Sequence, residues 1–258
     1  MAAFNTPGRG SQAACGLLAQ VLDSAPCLLM AKAAGFDFVL LDGEHGDLDL
    51  SRLGSLLLMA DALGLPTLVR VPELSRFWIS HTLDLGASAV MVPMIETPQQ
   101  AQQLVEWAKY PPLGQRSYSG GGHTRYGASG NHQRNMTAAN QRTQAYVQIE
   151  TAAGVAVVEE ILAVPGIAGA IVGPCDLAIS LGRPDEVGCD EELACIDRVR
   201  DACVAQDKGF GIIGGNLLLA RYAKDLTCLV SAIDSHLIRD AFASARTAYD
   251  ELLAHVKE

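Results

Sequence analysis

The chain has 258 residues, 49% of them hydrophobic and 19% charged, with no low-complexity tract, which excludes disordered and fibrous classes and suits one large α/β domain spanning 1–258. Its 19 Lys and Arg against 29 Asp and Glu give a formal charge of −10 without any basic cluster, so neither nucleic acid nor a membrane is an expected partner. Seven scattered cysteines without a Cys-x-x-Cys pair, and the lack of a leader or a spanning apolar run, predict reduced thiols in a cytoplasmic protein.

After an N-terminal extension (1–13), residues 14–19 predict a first strand and 25–34 a helix closed by Gly35. The apolar run from Phe36 to Leu41 predicts the second strand. It ends in Asp42-Gly43-Glu44-His45-Gly46, a burst of ionisable groups where a barrel strand delivers chemistry. A helix over 51–63 stops at Gly64, a strand over 66–71 ends near Arg70, and a helix over 75–85 stops at Gly86. A fourth strand over 89–92 and a helix over 98–109 continue the alternation. The polar, glycine-rich stretch from Pro111 to about Asn135 then reads as a functional or interface loop. Strands over 145–149, 169–172, 210–213 and 227–231 follow, with helices over 152–162, 191–207 and 217–224, and a long helix from 235 closes the chain. Eight strands alternating with helices predict a (β/α)8 TIM barrel.

Polar residues at the predicted strand ends, Asp42 with His45, Arg70, Gln148 with Glu150, and Asp176, converge on one face of such a barrel. Asp42, three residues before His45, is placed to orient its imidazole as a proton acceptor. Glu150 and Asp176 come from separate strands with no His or Cys at ligand spacing. They suit a hard divalent cation such as Mg²⁺ or Mn²⁺ that a 2-oxo acid chelates, with Arg70 facing a developing enolate oxygen. Each also has an ordinary structural role open to it, as a helix cap, an ion-pair partner or a turn histidine. Asp84, at a helix end, reads as a surface residue, Cys175 as a space-filler. Gly214-Gly215 offers a weak phosphate signal. Lys32, Lys109, Lys208, Lys224 and Lys257 all fall in or beside helices, which disfavours imine chemistry, because a Schiff-base lysine projects from a strand into the cavity.

The run from Gly35 to Gly46, Leu83-Asp84-Leu85-Gly86-Ala87 leading to Val92-Pro93-Met94, Tyr110-Pro111-Pro112-Leu113-Gly114-Gln115-Arg116, Val147-Gln148-Ile149-Glu150-Thr151 and Gly173-Pro174-Cys175-Asp176-Leu177 resemble the HpcH/HpaI class II aldolase family. The resemblance implies an enzyme dependent on Mg²⁺, Mn²⁺ or Co²⁺. It would cleave a 4-hydroxy-2-oxo acid reversibly to pyruvate and an aldehyde, in aromatic or sugar acid catabolism. His45 matches the base, Asp84 the acid that raises its basicity, and Arg70 the transition-state stabiliser. Glu150 and Asp176 match the metal ligands, and Gln148 and the backbone at Cys175 the pyruvate contacts. It further implies a homo-oligomer, trimer or hexamer, in which the C-terminal helix (235–258) is exchanged between barrels. Acceptor choice falls to the loop over 115–135, where Arg116, His123, Arg125 and Tyr126 could meet a substrate tail or serve an interface. The chain departs from the family pattern at Leu28, where a glutamate is common, at Cys175, where alanine is usual, at Ala232-Ile233, and in lacking a tryptophan in the first strand; Asp234 keeps an acidic residue after the last strand. The alternatives are an acyl-CoA lyase of the citrate lyase beta or malyl-CoA type, which needs a basic nucleotide patch absent from this sequence, and a non-catalytic scaffold barrel.

Overall fold

A computed structural model describes residues 12–127 and 130–255, so Lys257 and most of the Gly/Pro-containing start lie outside the described residues. Eight parallel strands close into a barrel in sequence order: β1 (Ala14–Ala19), β2 (Phe38–Asp42), β3 (Thr67–Arg70), β4 (Ala89–Val92), β5 (Gln144–Ile149), β6 (Ile167–Val172), β7 (Gly209–Ile213) and β8 (Cys228–Ile233). Helices α1 (Ala25–Ala33), α2 (Leu50–Leu63), α3 (Arg76–Leu85) and α4 (Pro98–Ala108) follow the first four strands. A single 3-10 turn (Gly122–Thr124) and α5 (His132–Arg142) lead into β5. Beyond it come α6 (Ala152–Ala156), α7 (Val158–Leu162), α8 (Pro174–Ser180), α9 (Asp190–Ala205), α10 (Asn216–Tyr222) and α11 (Asp234–His255). The predicted (β/α)8 barrel is the observed fold.

Local chemistry sets the helix starts. Asp49 accepts the Arg52 N–H at 2.8 Å ahead of α2, Ser75 caps α3, Thr97 and Gln100 form a reciprocal capping box on α4, and Asn131 caps α5. Gly86 ends α3 with a φ of 114°, a left-handed conformation that a Cβ would strain.

The strands are buried on both faces, and their two parities do different work. Leu17, Val39, Leu41, Val69 and Val147 point outward into the layer under the helices. Leu18, Phe38, Leu40, Leu68, Met91 and Tyr146 fill the barrel interior. Followed toward the carboxyl ends, the inward parity turns polar: Phe38 and Leu40 lead to Asp42, Leu68 to Arg70, and Tyr146 to Gln148 and Glu150. Hydrophobic packing below thus fixes the direction of the polar layer above. In register, Asp42 stands beside Arg70 across the β2–β3 pair.

Three differences from the expected elements stand out. The stretch over 111–135 is not loop throughout, since α5 begins at His132. The single helix expected over 152–162 is two short helices that meet at Val157, and α8 occupies a segment with no helix expected. The last helix is packed on its own barrel only near its start. Of its residues Asp234 alone is buried, while Leu237, Phe242, Tyr249, Leu252 and Leu253 are exposed. Among the described residues no helix is long and apolar enough to cross a membrane.

Candidate active site

The barrel's carboxyl end holds a cavity of about 330 Å³ lined by residues that include Arg70, Gln148, Gly173, Cys175, Asp176 and His236. At its base Asp42 is fully buried. Its carboxylate accepts Arg70 Nε at 2.9 Å and Nη2 at 2.6 Å, and Gln20 Nε2 at 3.0 Å. Burial works against ionisation, but the Arg70 hydrogen bonds and charge prevail and hold the Asp42 carboxyl below the usual range. The same carboxylate accepts the backbone N–H groups of Glu44 and His45, at 3.1 and 3.3 Å.

That geometry corrects the expected Asp42–His45 dyad. Asp42 shapes the turn that presents His45, but both its oxygens are taken by Arg70, Gln20 and backbone, and the exposed His45 ring lies nearest Glu44, with Nε2 3.8 Å from Oε2. Glu44 escaped sequence reasoning. It lies 3.2 Å from Arg70 Nη1, and burial, with the charges of Asp42 and Asp176, raises its carboxyl above the ordinary value against the pull of Arg70 and His45.

Glu150 follows β5 and is buried. Its Oε1 accepts the Met94 N–H at 2.9 Å, and its Oε2 accepts Gln148 Nε2. Met94 turns that N–H inward with a φ of 55°, an uncommon conformation for a side-chain-bearing residue and one concentrated at functional sites. Burial, followed by the charges of Asp176 and Glu44, pushes the Glu150 carboxyl up to about 7, although the Met94 bond and Arg70 act in the other direction. Gly173 makes a close approach: a Cβ there would displace the ends of the Glu150 and Gln148 side chains from their mutual hydrogen bond. Asp176 stands in the first turn of α8, and Cys175 beside it is exposed. Burial, Asp176 and Glu192 raise the Cys175 thiol, which marks it as unactivated.

Asp84 and Arg116 are not brought to this cavity. Helix α3 starts beyond the carboxyl end of β3 and returns to the amino end of β4, so Asp84 in its last turn lies at the opposite end of the barrel from His45. There it pairs with Arg116 Nη2 at 2.5 Å, and His123 Nδ1 lies 3.4 Å from its backbone oxygen. The Arg116 guanidinium rests over the Tyr110 ring at 4.8 Å and is buried, with Nε and Nη1 lacking partners among the described residues. Arg125 pairs with Asp61 at 2.7 Å at the same end, and Tyr126 is exposed, so the glycine-rich loop faces away from the cavity of its own barrel. Of the described lysines, Lys32 lies in α1, and Lys109, Lys208 and Lys224 follow α4, α9 and α10. Lys109 Nζ donates to the carbonyls of Asn140, at 2.9 Å, and Thr143, where burial and Arg116 lower it to about 8, and Lys208 Nζ donates to the Ile167 carbonyl.

The HpcH/HpaI aldolase/citrate lyase family profile matches residues 21–224. The chain is 34% identical over 188 residues to the 2-keto-3-deoxy-L-rhamnonate aldolase of Salmonella schwarzengrund (strain CVM19633), covering 73% of this chain and 68% of that protein. Among solved structures it is similar to an HpcH/HpaI aldolase/citrate lyase family protein from Burkholderia cenocepacia J2315, with 30% identity, a TM-score of 0.82, and 93% of this chain and 95% of that one covered. The HpcH/HpaI aldolase from Desulfitobacterium hafniense DCB-2 shares the fold at a TM-score of 0.88 with 24% identity and 93% of each chain covered. A profile match across most of the barrel, together with these relatives, shows that the chain belongs to the HpcH/HpaI aldolase/citrate lyase family.

Proposed function

We propose that the chain is a divalent-metal-dependent aldolase that cleaves a 4-hydroxy-2-oxo acid of the 2-keto-3-deoxy sugar acid type to pyruvate and an aldehyde. The observation that carries this reading is the buried carboxylate Glu150, anchored by the Met94 N–H and by Gln148 next to a cavity that Gln148 and Asp176 line. Among the described residues no three His, Cys, Asp or Glu side chains gather as a full ligand set, so Glu150 and Asp176 would be the protein's two charged donors, both hard oxygens, and would leave positions open to water and substrate oxygens. Gln148 Oε1, buried without a hydrogen-bond partner among the described residues, adds a further oxygen to the set. Glu150 and Asp176 would hold Mg²⁺, Mn²⁺ or Co²⁺. When bound, such an ion supplies Lewis-acid polarisation of the 2-oxo acid's carbonyl and carboxylate oxygens.

The chain's own residues do the rest. Arg70, clamped by Asp42 and Glu44, presents a fixed positive charge to the oxygen on which enolate charge develops, and needs no reorganisation to do so. His45, exposed at the turn after β2, takes the proton of the 4-hydroxyl directly or through one water, and the bond between C3 and C4 breaks.

A role for Asp84 in this chemistry demands a second copy of the chain, because within one barrel it stands at the wrong end. The projecting α11, with Phe242, Tyr249 and Leu253 along one exposed stripe, supports a trimer or hexamer in which that helix is exchanged. In such an assembly the loop over 115–135 of one copy could meet the acceptor end of another's cavity.

The test is pyruvate release from 4-hydroxy-2-oxo acids, 2-keto-3-deoxy-L-rhamnonate among them. Chelated enzyme is expected to be inactive and to recover with Mg²⁺ or Mn²⁺. Full turnover in chelator, with no bound metal, contradicts the proposal.

A further inference from the structure

The cavity grades from a buried floor to an open rim. Leu18, Arg70 and Gln148 lie at the floor, and Cys175, Ser231 and His236 at the rim. The donors of the floor are committed. Arg70 is bound to Asp42 and Glu44, Gln148 Nε2 is donated to Glu150, and Gln20 donates Nε2 to Asp42 while its Oε1 accepts Ser235 Oγ at 3.2 Å. A 2-oxo acid seated at the floor sends its aldehyde half toward the rim.

At the rim, His236 stands out. Its side chain makes no hydrogen bond among the described residues, and Asp240, one helical turn on, is already held by Arg239 at 2.9 Å, while Arg70 and Asp176 share the cavity it lines. The mount of His236, in contrast, is rigid. The preceding Asp234 is buried and accepts the backbone N–H groups of Gln20 (3.0 Å), Val21 (3.0 Å), Leu22 (2.7 Å) and Ser235 (2.7 Å). The first turn of α11 is therefore tied to the β1–α1 loop, and an unpaired imidazole is held in the cavity wall.

We propose that His236 is a specificity-determining residue, whose ring donates a hydrogen bond to an oxygen, hydroxyl or carboxylate, on the aldehyde half of the substrate. This rests on the aldolase reading above. A neutral imidazole offers one N–H and an imidazolium two, so either oxygen type is within its chemistry. An alkyl tail gives it nothing to bond, and a site built around an unpaired donor discriminates against such a tail.

The experiment compares aldol addition of pyruvate to propanal, lactaldehyde and succinic semialdehyde by wild type, His236→Ala and His236→Asn with Mn²⁺. The expected result is a fall of about tenfold in the ratio of kcat/KM for an oxygenated acceptor to that for propanal in His236→Ala, carried mainly by KM. Asn, which keeps an N–H donor, is expected to restore part of it. A loss confined to lactaldehyde assigns a hydroxyl tail, and one confined to succinic semialdehyde a carboxylate. Equal losses for all three acceptors, or unchanged ratios, overturn the proposal. Exchange of pyruvate methyl protons in D₂O by the wild type checks the reading beneath it. No exchange with Mn²⁺ overturns the aldolase assignment itself, whereas exchange with unchanged ratios overturns only the role of His236.

Discussion

Glu150 sits where two demands conflict, since burial favours its neutral form and a cation site needs its charged one. With its carboxyl at about 7 in the folded state against 4.5 for the ordinary group, protonated Glu150 contributes stability that is present below about pH 4.5 and lost as the pH rises through 7. In the metal-free protein that loss is of order ~3 kcal/mol. The proposed metal would bind the deprotonated form, and so would offset the loss where the loss is largest. Thermal unfolding is therefore expected to show a greater Mn²⁺-induced rise in Tm at pH 8 than at pH 5.5, and Glu150→Gln to abolish that rise. A rise independent of pH, or one that survives the substitution, argues against Glu150 as a ligand. Asp42, Arg70, Gln148 and Glu150 were legible in the sequence because each extends the inward parity of an apolar strand. Glu44 and Met94 were not. The place of Glu44 beside Arg70 depends on a turn folded around Asp42, and the φ of 55° at Met94 has no marker in residue type. The local Asp42–His45 pairing failed for a related reason: sequence proximity brought Asp42 to the backbone of His45, and the stronger partner, Arg70, came from the adjacent strand.

Strands were easier to place than helices. Each β-strand is a short apolar run bounded by turn residues, whereas α5 lies in a polar stretch with Ala139 as its only buried residue and so carries little apolar periodicity. Helix α8 has only seven residues, opened by a Gly-Pro pair that reads as a turn. The junction of α11 with the barrel was visible only as an acidic residue after β8. Its part in the structure is larger, because Asp234 gathers backbone N–H groups from two chain segments more than 200 residues apart. Asp234→Ala removes the acceptor of four part-buried backbone N–H groups and is expected to cost about 1–3 kcal/mol in denaturant unfolding. It should also lower activity beyond the fraction unfolded, since Gln20 and His236 border the cavity. A change below about 0.5 kcal/mol would mean that the loop holds its place without Asp234.

For the whole molecule, closure of the barrel was legible from the strand–helix alternation alone, and so was the convergence of strand ends on one face. The relation between barrels was not, because it depends on surfaces such as α11 and the Asp84–Arg116 pair that only a fold can place. If Asp84 serves the His45 of another copy, a mixture of His45→Ala and Asp84→Ala proteins, dissociated and reassembled together, is expected to regain about a quarter to a half of the wild-type activity, while each alone stays low. Failure to recover activity in verified mixed oligomers would confine the site to one chain and remove Asp84 from the chemistry.

The proposed reaction depends on Glu150 and Asp176 holding the ion that a 2-oxo acid chelates. Calorimetric titration of oxalate, a bidentate stand-in for the pyruvate enolate, addresses this without any aldehyde. Binding is predicted with Mn²⁺ present, none in chelator, and none in Glu150→Gln or Asp176→Asn. Oxalate bound equally well in chelator, or retained by both variants, would contradict the account.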